Sequence, residues 1–264
     1  MIDLKLRGKR ALVTGSTAGI GFAIAQGLAR ERAEVIVNGR TEQKVAEAVQ
    51  RISSEVGSRA IGIAADLSSA EGVARLVAQA GRVDILVNNV GIFWPVPFLE
   101  ISDQDWFHIF EVNVMSGVRL SRELLPAMLK RNWGRIIFVS SESGLQIPSE
   151  MVHYGVTKTA QLALSRGIAE TVAGTGVTVN SVLPGPTRSE GAVDFLGKVA
   201  AEHNTDIAAV EEEFIRTMRP TSLIRRFAES EEVANLVVFL CGEGASAITG
   251  ASLRADGGVV RSIA

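Results

Sequence analysis

The stretch YGVTK sets Tyr154 four residues ahead of Lys158, and Tyr154 is the only tyrosine among the 264 residues. On a helix, positions i and i+4 share a face. Both side chains can then enter one cleft. An ammonium group beside a phenol favours the phenolate and holds the phenol below its ordinary value of about 10. A phenol tuned in this way suits proton transfer to or from a reacting oxygen. Taken alone the spacing is a weak signal, since a half-buried ring with its hydroxyl at the surface looks the same.

A second constellation is TGSTAGIG, residues 14–21, with glycines at 15, 19 and 21. It joins an apolar run to a helical stretch carrying Ile20, Ile24 and Leu28. Phosphates reach the free N–H groups and positive dipole end of a helix only where side chains do not stand in the way. A side chain at Gly15 or Gly19 would hold them off. Ser16, Thr17, Ile20 and Gly21 complete the expected cradle. The spacing also fits a plain tight turn, but its position between the first strand and first helix is the context of a dinucleotide site. Sites for NAD commonly carry Asp or Glu at the end of the second strand. Here NGRT, residues 38–41, has no carboxylate. Arg40 offers a donor fork matched to a 2′-phosphate. NADP(H) is therefore favoured, with NAD(H) as the alternative if Arg40 is only a solvated charge. Asp66, followed by Leu67, either accepts a bond from adenine or caps the next helix, a task for which Ser68 competes.

The elements that must position these residues alternate in type. Short β-branched runs occupy 10–14, 34–38, 60–65, 83–88, 135–140, 177–183 and 251–255, with helical stretches between them. The runs are apolar almost continuously, which predicts strands covered on both faces. The pattern predicts an α/β fold: a doubly wound parallel sheet of about seven strands with helices on both sides. Ligands in such sheets bind beyond the carboxyl ends of the strands, where strand order reverses.

Bulk properties narrow the function classes. Hydrophobic residues make up 47% of the chain and the formal net charge is −2, so no general attraction to nucleic acid or to an acidic membrane is expected. The single cysteine, Cys241, sits in an apolar run and excludes an internal disulfide. No run reaches the roughly 20 apolar residues that span a bilayer, and the first ten residues lack a signal-peptide core. A cytoplasmic location and one domain over 1–264 are expected. His108, His153 and His203 show no metal-ligand spacing, so no metal is implied.

Together with NNVG (88–91), Asn113, Ser141, PG (184–185) and DGG (256–258), these motifs resemble the short-chain dehydrogenase/reductases over essentially the whole chain. The overall likeness is to members of the 3-oxoacyl-[acyl-carrier-protein] reductase type. The resemblance implies a Rossmann-type domain, a nicotinamide cofactor and a catalytic tetrad of Asn113, Ser141, Tyr154 and Lys158. Ser141 rather than Ser140 fits, because Gly144 supplies the following x-x-Gly. In that scheme Tyr154 gives its proton to a carbonyl oxygen as hydride arrives. Lys158 reaches the nicotinamide ribose, Ser141 orients the substrate oxygen, and Asn113 holds a water that passes protons from Lys158 to solvent. Asn89, Gly91, Pro184, Gly185 and Thr187 are implied as further cofactor contacts. Two departures stand out: Val90 replaces the usual alanine, and Ala18 stands where many NADP-dependent relatives carry a basic residue. The helices within 103–131 and 153–173 are implied to pair subunits, giving a homotetramer with a dimer as runner-up.

From 186 to 228 the chain leaves the strand–helix rhythm, and helices are expected at about 192–203 and 207–218. A segment of this kind at the top of the sheet reads as a substrate lid. Phe93, Trp94, Leu145, Gln146, Ile147 and Met151 are expected to line the pocket. Arg188, Arg219 and Arg225 either meet an acidic substrate or are surface charges. The expected function is NADP(H)-dependent hydride transfer between nicotinamide and a small alcohol or carbonyl compound. The alternatives are a non-catalytic dinucleotide sensor or partner-binding protein on the same fold, and an epimerase or dehydratase, which the family more often builds on longer chains.

Overall fold

The computed structural model describes residues 3–263, apart from the side chain of Phe195. In the first half, β1 (Arg10–Val13), β2 (Glu34–Gly39), β3 (Ala60–Ala64) and β4 (Ile85–Asn88) alternate with α1 (Gly19–Arg30), α2 (Glu42–Val56) and α3 (Ala70–Ala80). Then come α4 (Asp103–Phe110), a π-helical segment Glu111–Met115 and α5 (Ser116–Lys130), which form one continuous run. The second half holds β5 (Gly134–Val139), α6 (Val152–Thr171), β6 (Val177–Pro184), α9 (Ser230–Cys241) and β9 (Ser252–Ala255). Between β6 and α9 lie β7 (Thr187–Arg188), α7 (Glu190–Glu202), α8 (Ile207–Met218) and β8 (Ala228–Glu229).

Seven strands form one parallel sheet in the order β3-β2-β1-β4-β5-β6-β9. Alternate strand residues serve opposite faces. Ala11 and Val13 pack with α1, α2 and α9, through Ile24, Ile52 and Val237 among others. Leu12, between them, packs with α3 and α5, through Leu76 and Leu124. Both faces are thus covered, which is why the strands read as continuous apolar runs. Strand order reverses between β1 and β4, whose carboxyl ends carry the glycine turn and Asn89.

Local chemistry sets the helix starts. Ser69, not Asp66 or Ser68, caps α3 and accepts the Gly72 N–H. Asp66 instead accepts the Ser68 N–H in a tight turn, which holds its carboxyl below the usual range. The first lid helix begins at Glu190 rather than 192 because Ser189 caps it. The lid has a small core of its own, in which Leu196, Ile215 and Phe227 are buried together with Val210 and Phe214 packed against them.

Candidate active site

A cleft of about 750 Å³ opens above the carboxyl ends of the strands. The glycine turn forms one end. Gly15 and Gly19 have φ of +59° and +55°, a backbone region that side chains rarely adopt. A Cβ on Gly21 would stand 2.4 Å from the Gly15 carbonyl oxygen, so α1 can start this close to β1 only with glycine there. The turn is pinned by three polar side chains. Asn89 Nδ2 donates to the Thr14 and Gly15 carbonyls at 2.9 and 3.1 Å. Thr14 Oγ1 accepts the N–H groups of Asn89 and Val90. Asn38 Oδ1 accepts the Gly15 N–H.

The positive end of α1 already engages an anion. The Gly19 N–H donates to the carboxylate of Glu190, from the first turn of α7. The chain therefore presents an anion-binding helix end at this point. Ser16 does not face it: its hydroxyl donates to the Val13 carbonyl and accepts the Asn38 N–H inside the sheet. Thr17 lies against Gly39, and Leu67 is buried in the core, so only its backbone can face the cleft. Arg40 is exposed just before the Thr41 cap of α2 and makes no ion pair or hydrogen bond among the described residues; its charge reaches Asp66 across the ends of β2 and β3.

At the other end, α6 brings Tyr154 and Lys158 together on one face, with Lys158 Nζ 5.5 Å from the Tyr154 ring centroid. Ser141 follows β5 and lines the cleft with Tyr154. Asn113 lies in the π-helical segment, whose altered winding leaves it buried under the cleft. Its side chain is tied down: Oδ1 accepts the Ile92 N–H at 2.8 Å, and Nδ2 donates to the Ile92 carbonyl and Thr157 Oγ1, each at 3.0 Å. Gly91 lies against this pair, where a Cβ would come 3.4 Å from Lys158 Nζ and 3.6 Å from Asn113 Oδ1. Pro184, Gly185 and Thr187 line the cleft beside them.

One expectation is corrected, and it concerns the phenol. Burial, reinforced by the charge of Glu142, pushes Tyr154 up rather than down, against a Ser141 hydrogen bond and the charge of Arg219. Lys158 spends its ammonium elsewhere, on the Val139 carbonyl at 3.0 Å and Gln161 Oε1 at 3.3 Å. Burial also pushes Lys158 down to about 8, so less charge is available to stabilise a phenolate. Gln161 also connects Lys158 to Asn113, as its Nε2 donates to the Asn113 carbonyl at 2.6 Å while its Oε1 accepts from Lys158.

The expected pocket lining divides. Phe93 and Met151 line the cleft, and the Phe93 ring lies 5.8 Å from Tyr154. Trp94 does not. Successive residues of an extended segment point to opposite sides, and Trp94 packs edge-on against the buried His153 at 4.8 Å. Leu145, Gln146 and Ile147 are exposed outside the cleft, because the chain turns away after the short 3₁₀ turn Glu142–Gly144 and Ile147 packs on Gly155. The lid supplies much of the rest through Leu196, Val199, Val210, Phe214 and Met218. Sequence reasoning missed Glu142, Glu150, Glu190 and Gln161. The charged side chains carried a signal only in being charges next to motif residues. Neither Arg188 nor Arg219 is free for an anion: Glu211 and Glu229 hold the first, Glu142 and Glu150 the second.

Comparison with known proteins agrees with this geometry. The sequence profile of the short chain dehydrogenase family matches residues 9–197. "Uncharacterized oxidoreductase YvaG" of Bacillus subtilis (strain 168) is 48% identical over 263 residues, covering 99% of this chain and 100% of that protein. The 3-oxoacyl-[acyl-carrier-protein] reductase FabG of Aquifex aeolicus (strain VF5) is 35% identical, covering 98% of this chain and 100% of that one. The crystal structure of L-sorbose reductase from Gluconobacter frateurii, complexed with NADPH and L-sorbose, superposes with a TM-score of 0.95 at 32% identity, covering 99% of this chain and 100% of that chain. The chain belongs to the short-chain dehydrogenase/reductase family and is an NAD(P)-dependent oxidoreductase.

Proposed function

We propose that the protein uses NADP(H) to reduce the carbonyl group of an uncharged small molecule, with Tyr154 as the proton donor. The observation that carries this reading is the meeting of buried Ser141 and Lys158 with the half-buried Tyr154 at one end of a cleft whose other end is the glycine turn. Gly15, Gly19, Gly21 and the α1 N-terminus would hold the pyrophosphate, which takes the place of the Glu190 carboxylate. Arg40, without a protein partner among the described residues, would receive a 2′-phosphate. NADP-bound relatives of similar structure support the choice. The cofactor, when bound, supplies or accepts the hydride.

The rest of the chemistry belongs to the chain. Ser141 and Tyr154 converge on the place where a carbonyl oxygen would lie. Burial keeps Tyr154 protonated, which suits it to donate as negative charge develops on that oxygen. Lys158 lies beneath the ring and balances the phenolate left behind. Asn113 and Gln161 fix Lys158 and the strand-end backbone around it. The lid side chains exclude water. An uncharged substrate follows from the committed arginines: Arg219, the buried guanidinium of the cleft, is already neutralised by carboxylates. We further infer a homotetramer, with a dimer as the alternative, paired through α4, α5 and α6; Phe107 on α4 is 72% exposed in the single chain, and light scattering distinguishes these from a monomer.

Titration with NADPH and NADH, followed by nicotinamide fluorescence, tests the cofactor. NADPH is expected to bind more tightly, and Arg40→Ala to weaken it by about tenfold. Equal binding in the variant would make Arg40 a surface charge. Tyr154→Phe is expected to abolish turnover in an NADPH-dependent carbonyl screen while leaving NADPH binding intact. Full activity in that variant would remove Tyr154 from the mechanism.

A further inference from the structure

Glu142 directly follows Ser141 and is buried beside the tetrad, although the reaction outlined above gives it no part. One carboxylate oxygen accepts the Ser141 hydroxyl at 2.5 Å. The other accepts Arg219 Nε at 2.8 Å. Arg219 is itself buried, and its Nη1 lies 3.6 Å from Glu150 and donates to the Met218 carbonyl.

We propose that Glu142, gripped by Arg219, is a positioning residue that holds the single hydroxyl proton of Ser141 and keeps negative charge beside Tyr154, so that this ion pair sets the pH range of proton transfer. The inference rests on the tetrad reading above.

A serine hydroxyl has one proton and two lone pairs. The Ser143 N–H takes one lone pair at 3.1 Å, and Glu142 takes the proton. That leaves one lone pair on Ser141 to face the Tyr154 phenol. When negative charge grows on Tyr154 or on a substrate oxygen, the Ser141 proton must turn towards it. Glu142 and the reacting oxygen compete for one proton. Arg219 weakens the competitor by drawing on its other oxygen.

The charges act in the same sense. Glu142 pushes the Tyr154 phenol up and Arg219 pulls it down. The other charged groups around this point are Lys158 on α6, Glu150 in the turn before α6, Glu190 on α7 and Glu213 on α8, all lining the same cleft. Among the described residues, only Glu142 accepts the Ser141 proton.

Because Tyr154 is the only tyrosine in the chain, protein labelled with carbon-13 at the tyrosine ζ carbon gives one phenol resonance. Its alkaline titration reads the site without substrate or cofactor. Glu142→Gln is expected to titrate about one pH unit below the wild type. Arg219→Gln is expected to titrate above it, or to hold its proton until the fold is lost. Loss of packing alone would not move the two variants in opposite directions. Should alkaline unfolding precede titration, the resonance position near neutral pH gives the answer, since removing the Glu142 charge and its hold on Ser141 changes the surroundings of the phenol. A Glu142→Gln protein that keeps its circular dichroism and NADPH binding but leaves both the titration and the resonance position unmoved overturns the inference. Activity in Tyr154→Phe would instead overturn the tetrad reading, whatever the resonance does.

Discussion

Under the tetrad, side chains are tied to the backbone of other elements. Asn113 is bonded to Ile92, Ser140 to the Lys158 carbonyl, Lys158 to the Val139 carbonyl and Gln161 to the Asn113 carbonyl. Opposite them, the lid of α7 and α8 rests on three buried apolar residues and on ion pairs at its rim, such as Arg188 with Glu211 and Glu229. The floor shares the main hydrophobic clusters, so moving it means unfolding the sheet. The segment of α7 and α8 has a separate small core, which places it towards the low-stability end expected within a fold. On the proposed function, placement of the proton donor and closure over substrate fall to different parts of the chain.

Matched truncations break this comparison most forcefully. Ile24 and Leu196 are both fully or almost fully buried, the first in the main core and the second in the lid. Ile24→Ala is expected to cost about 2–5 kcal/mol and lower the melting temperature of the whole protein. Leu196→Ala is expected to raise KM for a carbonyl substrate while lowering that melting temperature far less. Equal thermal losses would show that the lid is part of the same cooperative unit.

Glycines give a second, smaller contrast. Gly21→Ala drives a methyl into the Gly15 carbonyl and Asn89, so a loss of about 1–3 kcal/mol and of NADPH binding is expected. Gly191, in the first turn of α7, has open space around its missing Cβ. Alanine there is expected to leave binding intact and to stabilise the helix by a few tenths of a kcal/mol. Calorimetry and cofactor titration on the two variants check both expectations. A tolerated Gly21→Ala would mean that the turn can shift.

The same contrast explains what was legible in the sequence. The strands and the glycine turn were readable because backbone geometry dictates residue type there: burial on both faces demands continuous apolar runs, and Gly21 admits no side chain. Tyr154 and Lys158 share a face by helical period alone. The lining of the cleft was less legible. Phe93 and Trp94 are adjacent aromatics of equal promise, and only the path of an extended loop sends the first to Tyr154 and the second to His153. Glu142 and Arg219 lie 77 residues apart. No local pattern announces such a pairing, and it decides both the charge beside Tyr154 and the loss of Arg219 as an anion receptor.

The floor also makes a prediction in pH. Lys158 ordinarily titrates at 10.5 and is held at about 8 in the fold. Between those values the unfolded chain keeps a proton that the folded protein has lost. Stability from this group therefore rises with pH across the window, by up to about 1.4 kcal/mol per pH unit, and is lost as pH falls through 8. Lys158→Met should remove that slope. Urea midpoints of the two proteins are expected to differ less at pH above 10 than at pH 7. Cys241, which burial pushes up to about 12, contributes an opposite slope in both and cancels from the difference. Parallel midpoints throughout would mean that Lys158 is not held at a depressed value.

The smallest effect is expected where floor and lid meet through charge. Glu190 belongs to the lid, yet its carboxylate accepts the Gly19 N–H at the positive end of α1, with Arg51 at 3.9 Å on its other side. A pyrophosphate seated on the glycine turn must take over that N–H. Glu190 then has to swing out, and its negative charge resists the incoming phosphates until it does. A charge at a helix end contributes about 0.3–1 kcal/mol, and the Glu190 side chain is 53% exposed, so solvent keeps the effect at the low end. Glu190→Gln is accordingly expected to tighten NADPH binding by about two- to threefold, and more at low ionic strength than at high. Unchanged affinity would mean that the carboxylate leaves without cost. Weaker binding would reverse the assignment: Glu190 would then help the lid close over the bound cofactor, and the two regions would cooperate where they are here expected to compete.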